Sequence, residues 1–280
     1  MSRESLTVAL AQISPVWLQR DATVEKVAAW IDRAAQKGAG LVAFGETLVP
    51  GYPHWLSHTG GAVFDSKLQK EIHAHYLNQG VDLEGGHLDL LCERAKKHSI
   101  HVMVGCFERP RDRGGHTGYA SLVYIDGDGK IRNAHRKVMP TYEERLSWGT
   151  GDGHGLQVFP VGPFQIGGLN CWENWIPLLR TALYGQGENL HVAVWPGSPG
   201  LTRDITRFMA LEGRSFVLSV SGVLTKKDIP EGIPHRDVIL ESVPETLASG
   251  GSCIAGPTGE WIVEPVDGLE QLLVADISLD

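Results

Sequence analysis

Three segments of the sequence place a chemically useful side chain at the end of a predicted strand. The segments are FGETLVPGYP with Glu46, HRKVMPTYEER with Lys137, and GLNCWENWIPLLR with Cys171. In α/β proteins, ligands gather beyond the carboxyl ends of the strands. A carboxylate, an ammonium and a thiol brought together there can supply a base, a stabiliser of developing charge and a nucleophile.

Each of these residues also has an ordinary structural explanation. Glu46 is equally well explained as a capping or salt-bridging residue, and the basic cluster around Lys137 as a solvated loop. An isolated free cysteine is more often a buried small hydrophobe than a nucleophile. Taken one at a time, the three segments therefore leave function open.

Cys171 has the most suggestive local setting. It ends a glycine-containing predicted strand directly before a predicted helix, which is the geometry of a nucleophile elbow. Backbone N–H groups and the positive end of the helix dipole would favour a thiolate there. The other cysteines, Cys92, Cys106 and Cys253, are interpreted as buried, and four in 280 residues are too few for a disulfide framework.

Familiar signatures of other chemistries do not occur in the sequence. It contains no P-loop, no G-x-G-x-x-G and no H-E-x-x-H. The stretch DGDGK at 126–130 indicates a hairpin turn rather than a calcium loop, and Pro196 breaks a G-x-S-x-G pattern around Ser198. The twelve histidines match no common zinc spacing. We therefore predict no metal and no cofactor.

Strands and helices alternate along the chain in a way that positions these residues. A helix N-capped by Asp21 follows the first strand, and residues 251–277 are predicted to be rich in β-structure. This order predicts an α/β layered fold with a mixed sheet. The predicted strands are 7–13, 41–46, 101–108, 121–125, 130–135, 156–161, 165–171, 191–195 and 216–221, and the other predicted helices are 88–98, 176–184 and 203–213.

Composition narrows the class of protein. The chain has 42% hydrophobic residues and no linker-like stretch, which predicts a single domain over residues 1–280. Its 33 acidic and 25 basic side chains give a net charge of -8, which argues against nucleic acid or an anionic membrane as a partner. Without a long apolar run or a signal-peptide pattern, a cytoplasmic protein is expected.

Together the three segments resemble the nitrilase superfamily of carbon–nitrogen hydrolases, and within it the nitrilase branch. The order Glu46, Lys137, Cys171 is the order of that superfamily's catalytic residues, and Trp172-Glu173 resembles nitrilases more than amidases. WGTGDG at 148–153, HVAVWPG at 191–197 and EGRSFVLS at 212–219 extend the resemblance along nearly the whole chain.

The resemblance implies a four-layer α-β-β-α sandwich and specific roles. Cys171 would be the nucleophile, Glu46 the base, and Lys137 with the N–H of Trp172 the stabiliser of charge, while Glu144 matches the second glutamate. Tyr52, Trp172 and Trp195 are candidate walls of the substrate pocket by position, although core packing also explains them.

The activity implied is hydrolysis of a small-molecule nitrile to the carboxylic acid and ammonia through a thioimidate and a thioester. An amidase, a cyanide-degrading enzyme or a catalytically silent scaffold protein are the alternatives. The resemblance also implies a homodimer or small homo-oligomer that pairs through helix 176–184. Nitrilases usually have a longer C-terminal extension than this chain, so long spirals are less expected.

Overall fold

Two β-sheets with helices on their outer faces make up residues 4–280, the part of the chain that this computed structural model describes. The strands are β1 Ser5–Gln12, β2 Leu41–Phe44, β3 His101–Glu108, β4 Tyr119–Ile125, β5 Ile131–Arg136, β6 Phe159–Val161, β7 Phe164–Asn170, β8 Leu190–Trp195, β9 Phe216–Ser221, β10 Val223–Thr225, β11 Thr246–Ala255, β12 Trp261–Asp267 and β13 Gln271–Ser278. The helices are α1 Arg20–Gln36, α2 Trp55–His58, α3 Lys67–Asn78, α4 Asp89–His98, α5 Pro177–Tyr184, α6 Pro199–Gly213 and α7 Arg236–Ser242.

The two sheets are both of mixed strand direction. The first has the order β13-β1-β2-β3-β4-β5, and the second has the order β10-β11-β9-β8-β7-β6 with β12 paired to β11. Strands β1, β2 and β3 are parallel, whereas β4 runs antiparallel to both β3 and β5. Strand β5 therefore runs in the same direction as β2, and both end at the same edge of the first sheet.

Alternating side chains divide the core into layers. In β1, Val8 and Leu10 face the second sheet, whereas Ala9 and Ala11 face the layer of α1 and α4. This is the two-residue period of a strand that is buried on both faces. On the other side, α6 packs against the outer face of β8 and β9. The predicted four-layer α-β-β-α sandwich is confirmed.

Most of the predicted elements are present, with two corrections. Helix α1 begins at Arg20 with Gln19 as its N-cap, so the prediction that Asp21 caps it was wrong. Asp21 lies inside the first turn, where it pairs with Arg20, and the Oε1 of Gln79 accepts the first helical N–H. The prediction also missed α2, α3 and α7. Among the helices of residues 4–280, none has both the length and the apolarity that crossing a bilayer requires.

Candidate active site

A buried lysine lies at the centre of the predicted constellation. The Nζ of Lys137 donates to Oε1 of Glu46 and to Oε2 of Glu144, at 2.8 Å in both cases. Glu46 lies two residues beyond the end of β2, and Lys137 directly follows β5, whose carboxyl end lies at the same edge. The backbone N–H of Glu46 also donates to the carbonyl of Trp195 at the end of β8, which ties this edge to the second sheet.

The structure brings Cys171 to the same place from the second sheet. One oxygen each from Glu46 and Glu144 and the sulfur of Cys171 all lie within 4.8 Å of one another. Cys171 directly follows β7 and is 7% exposed, while Lys137 is wholly buried. All four predicted catalytic residues are thus adjacent, at a site enclosed between the sheets.

The turn that carries Cys171 differs from the predicted one. Cys171–Trp175 forms a 3₁₀ turn, and α5 begins only at Pro177, so the thiol does not lie at the N-terminus of an α-helix. Burial raises the pKa of the Cys171 thiol well above its usual range, Glu46 adds to the rise, and Lys137 and the backbone N–H of Trp172 oppose it. The backbone N–H of Trp172 does favour the thiolate, but the expected α-helix N-terminus is absent and burial outweighs the N–H, so a base has to remove the thiol proton.

The charges of the site follow from its burial. Burial raises the pKa of Glu46 to about 8, against the lowering effect of Lys137. Burial lowers the pKa of Lys137, but Glu46, Cys171 and Glu144 raise it by more, so the pKa ends above its ordinary value and the ammonium stays charged. Glu46 is consequently a carboxyl group that can accept and return a proton near neutral pH.

The two glutamates differ in how their oxygens are used. Oε2 of Glu144 accepts from Lys137 and from the backbone N–H of Thr141, and its Oε1 accepts from the hydroxyl of Tyr52 at 2.8 Å. Oε2 of Glu46 is buried and has no hydrogen-bond partner among residues 4–280. Glu144 is therefore fixed by its neighbours, whereas Glu46 keeps one oxygen free for a reacting group.

Each of the three site loops holds a non-glycine residue in the left-handed region. Thr47 follows Glu46 with φ 43°, Tyr142 precedes Glu144 with φ 45°, and Cys171 itself has φ 51°. Such a conformation costs on the order of 1–3 kcal/mol, and it clusters at functional sites where the surrounding structure enforces it. The backbone of all three loops is therefore held in place by its packing.

The three candidate pocket residues have different surroundings. Tyr52 contacts the site directly through Glu144. Trp172 is 49% exposed and borders a cavity of about 400 Å³ with Met139, Pro140, Thr141, Tyr142, Arg145 and Ile176. Trp195 is wholly buried, its Nε1 donates to Oγ of Ser219, and its ring packs with Cys171 and α6. This placement of Trp195 is what core packing predicts.

Several residues near the reactive groups were not predicted. The ring of Trp148 lies 5.3 Å from Nζ of Lys137, and the Nδ2 of Asn174 donates to the carbonyl of Cys171 at 2.8 Å. Buried His135 and Glu173 are hydrogen-bonded to each other at 3.0 Å. WGTGDG and CWEN contain Trp148, Glu173 and Asn174, so the motifs included them without indicating their contacts.

Glu46, Glu144 and Cys171 are also the one group of potential metal ligands found within residues 4–280. The ammonium of Lys137 lies within 2.8 Å of both carboxylates, so a divalent cation here would face a fixed positive charge at short range. The arrangement fits an ammonium better than a metal ion.

Dialysis against EDTA is accordingly expected to leave activity unchanged. The physical reason is that Lys137 already neutralises the carboxylates that a metal would need. Turnover is measured before and after overnight dialysis, with a buffer-dialysed sample as the control. A loss of activity that added zinc restores would contradict this expectation and would make the histidines candidate metal ligands.

Comparison with known proteins identifies the class. The family model for carbon–nitrogen hydrolases matches residues 7–280. The chain therefore belongs to the carbon–nitrogen hydrolase family, which confirms the resemblance. It is a hydrolase that acts on carbon–nitrogen bonds.

Individual relatives show which members of the family the chain is similar to. Nitrilase 2 from an unknown prokaryotic organism is 34% identical over 276 residues, covering 98% of this chain and 83% of that protein. A bifunctional nitrilase/nitrile hydratase of Lupinus angustifolius is 34% identical over 277 residues, covering 96% and 77%. A superfamily protein from Xanthomonas campestris, solved with an arsenic adduct in its active site, has the same fold, with a TM-score of 0.74, 17% identity and coverage of 98% and 91%.

Proposed function

We propose that the chain is a nitrilase, a single carbon–nitrogen hydrolase domain that converts an organic nitrile to the carboxylic acid and ammonia. The observation that carries the proposal is the buried ammonium of Lys137 between Glu46 and Glu144, beside the Cys171 thiol. The relatives named nitrilase support the same substrate class.

The first step is addition of the thiol to the nitrile carbon. Sγ of Cys171 forms the new C–S bond, and Glu46 takes the thiol proton on its free oxygen and passes it to the nitrogen, which gives a thioimidate and leaves Glu46 ionised again. Negative charge develops on nitrogen during the attack. Lys137 and the N–H of Trp172 stabilise that charge, and one such donor is worth about 2.7–4 kcal/mol in another enzyme.

Two molecules of water complete the reaction. The first, deprotonated by Glu46, adds to the thioimidate carbon, and loss of ammonia from the tetrahedral intermediate leaves a thioester. The second hydrolyses the thioester, which releases the acid and returns the proton to Cys171. Glu46 gains and loses a proton in each step, which suits a carboxyl group whose pKa lies at about 8.

Glu144 serves as a positioning residue in this scheme. Its oxygens are occupied by Lys137, Thr141 and Tyr52, so it orients the ammonium and has no free oxygen to accept a proton. Substitution of Glu144 by alanine is therefore expected to impair turnover by displacing Lys137.

The cavity beside Trp172 and Tyr142 is our candidate for the nitrile substituent, because its aromatic walls suit an apolar group.

Nitrile turnover is expected to exceed turnover of the matching amide. A nitrile is linear, and its nitrogen reaches the donors of Lys137 and Trp172 without the polar rim that a planar amide needs. Incubation with paired nitriles and amides, followed by chromatography of acid, amide and ammonia, measures both rates. Amide hydrolysis without nitrile consumption across a broad panel would make the enzyme an amidase.

The same chromatograms measure the released amide. One relative carries the name of a bifunctional nitrilase/nitrile hydratase, so a partition between acid and amide is an informative result. We expect the acid to be the main product, because loss of ammonia from the intermediate leads onward to the thioester. Amide as the main product would assign hydratase chemistry to this chain.

We also propose a dimer or small oligomer built on the surface of α5. Leu178 of α5 is 79% exposed, and Trp172 and Trp175 are exposed in the 3₁₀ turn that precedes the helix. Phe208 and Leu211 of α6 add further exposed apolar area, and Arg180 links the two helices through its contacts with Phe208 and Glu212. Exposed apolar area of this kind is typical of a subunit interface.

Light scattering is expected to give at least twice the mass of one chain. Leu178→Glu should shift the protein towards monomer, because it buries a charge in the interface. Leu269→Glu is the matched control, since Leu269 is 72% exposed and lies between β12 and β13, outside α5 and α6. A wild-type protein that is monomeric in dilute buffer would contradict the proposal.

A further inference from the structure

Glu173 is a buried carboxylate that no step of the proposed reaction uses. Its Oε1 accepts from the backbone N–H of Val138 at 2.6 Å, and its Oε2 accepts from the backbone N–H of Asn170 at 3.0 Å. The Oε2 also accepts from Nε2 of His135 at 3.0 Å. We infer that Glu173 is a positioning residue that fixes Lys137 relative to Cys171.

The partners of Glu173 flank the two reactive groups in the chain. His135 and Val138 lie on either side of Lys137, and Asn170 directly precedes Cys171. Lys137 extends from the first sheet and Cys171 from the second, so packing between the sheets sets the distance between them. Glu173 joins the two segments at the site, and Nδ2 of Asn170 adds a weaker link to the carbonyl of His135 at 3.4 Å.

Three donors converge on the two oxygens of Glu173, and this suits an ionised carboxylate. Burial raises the pKa of Glu173, but His135 and the backbone N–H groups of Val138 and Asn170 lower it by more, so the pKa lies below its ordinary value. A glutamine has one oxygen and an NH₂ group. Whichever way its amide is turned, at least one backbone N–H then faces another donor.

Loss of this link should change the rate of chemistry more than substrate binding. Glu173 touches neither the reacting atoms nor the cavity beside Trp172. A misplacement of about 1 Å between reacting groups costs on the order of 10²-fold in rate. The inference rests on the proposed roles of Cys171 and Lys137, but it has a test of its own.

The test compares Glu173→Gln and Glu173→Asp with the wild-type enzyme. We expect Glu173→Gln to lower kcat by roughly 30-fold or more while KM changes less than about 3-fold, because the displacement affects the reacting groups. The rate of Cys171 alkylation by iodoacetamide, located by peptide mapping, should fall as well. Glu173→Asp keeps the charge but is one methylene shorter, so an intermediate loss is expected.

Asp126→Asn is the matched control. Asp126 also accepts two backbone N–H groups, from Asp128 and Lys130, but it lies at the opposite end of the β4–β5 hairpin from Lys137. We expect Asp126→Asn to lower Tm without changing kcat or the alkylation rate. Wild-type kcat and alkylation in Glu173→Gln, measured well below its Tm, would overturn the inference. So would an equal loss of kcat in Asp126→Asn.

Glu173→Asp keeps the inference testable if Glu173→Gln misfolds, and Cys171→Ala separates this inference from the proposed function. If Glu173→Gln does not fold, Glu173→Asp decides, and wild-type kcat in that variant overturns the inference. Cys171→Ala is assayed in parallel. Turnover retained in Cys171→Ala refutes the proposed function, whereas an inactive Cys171→Ala with fully active Glu173 variants refutes the role of Glu173 alone.

Discussion

Replacement of Cys171 by alanine is expected to abolish turnover while the protein remains folded. Cys171 is the cysteine that the structure of residues 4–280 places beside Glu46 and Glu144, and alanine removes its thiol with little change in volume. A loss below the detection limit is expected, because neither water nor Glu46 can replace the covalent step. The assay is ammonia release from an accepted nitrile, with circular dichroism as the test of folding.

The other cysteines supply the controls for this experiment. Cys106 and Cys253 are buried, Cys92 is half-buried on α4, and none of the three belongs to the Glu46–Glu144–Cys171 group. Burial raises the pKa of all three thiols, as it does that of Cys171, but none of the three is in that group with Glu46 and Glu144, which could activate it. Each single alanine variant should keep most of its activity. Retained turnover in Cys171→Ala would remove the nucleophile from the mechanism.

Loss of either partner of the buried ion pair is expected to lower the rate by at least about 10²-fold. Lys137→Ala removes the ammonium that stabilises charge in two successive additions, and it leaves Glu46 and Glu144 facing each other. Loss of one such donor costs about 10²–10³-fold in another enzyme, and uncompensated buried charge also destabilises the fold by about 3–5 kcal/mol. Lys130→Ala, in the exposed hairpin turn, is the matched control.

Glu46→Gln tests the base separately from the ammonium. The amide cannot accept the thiol proton, so a loss of at least about 10²-fold is expected. Because burial raises the pKa of Glu46 to about 8, wild-type kcat/KM should rise with pH through about 8, as the carboxyl group loses its proton. Residual activity of Glu46→Gln should lack this rise. A near wild-type rate in Glu46→Gln would assign the base elsewhere, and exposed Glu143→Gln is the control.

The fold was largely predictable because its strands are apolar runs bounded by turn residues. Predicted strands 101–108 and 216–221 coincide with β3 and β9. Helix α3 was missed because it buries little apolar surface, with Ile72 and Tyr76 as its buried residues, so its pattern of apolar positions is weak. Helix α7 has seven residues and buries Ile239, which gives an even weaker signal.

The reactive residues of the site were predicted, whereas the contacts that orient them were not. Those contacts join distant parts of the chain: Tyr52 and Glu144 are 92 residues apart, and Val138 and Glu173 are 35 apart. A local signal did exist, because Glu144 and Glu173 each lie three residues after a polar residue whose backbone N–H they accept. This is the spacing of a capping box, and it indicates a glutamate that turns back towards its own loop.

The aromatic residues show that position along the chain is a poor predictor of which side chains line a pocket. Trp195 shares its face of β8 with Ala193, and that face packs against α6. The two-residue period of the strand could have predicted this burial. The exposure of Trp172 depends on the 3₁₀ turn that follows Cys171, and no local pattern indicated that turn.

The most direct test of the proposed function is the mass of the enzyme during nitrile turnover. Acid quenching in the steady state, followed by mass spectrometry of the protein and its peptides, should show a covalent adduct on the peptide that contains Cys171. Its mass should equal the whole nitrile for the thioimidate, or the acyl group for the thioester, and Cys171→Ala should show neither. Adduct formation at another residue, or turnover in which sensitive time-resolved quenching finds no adduct, would contradict a Cys171-dependent nitrilase.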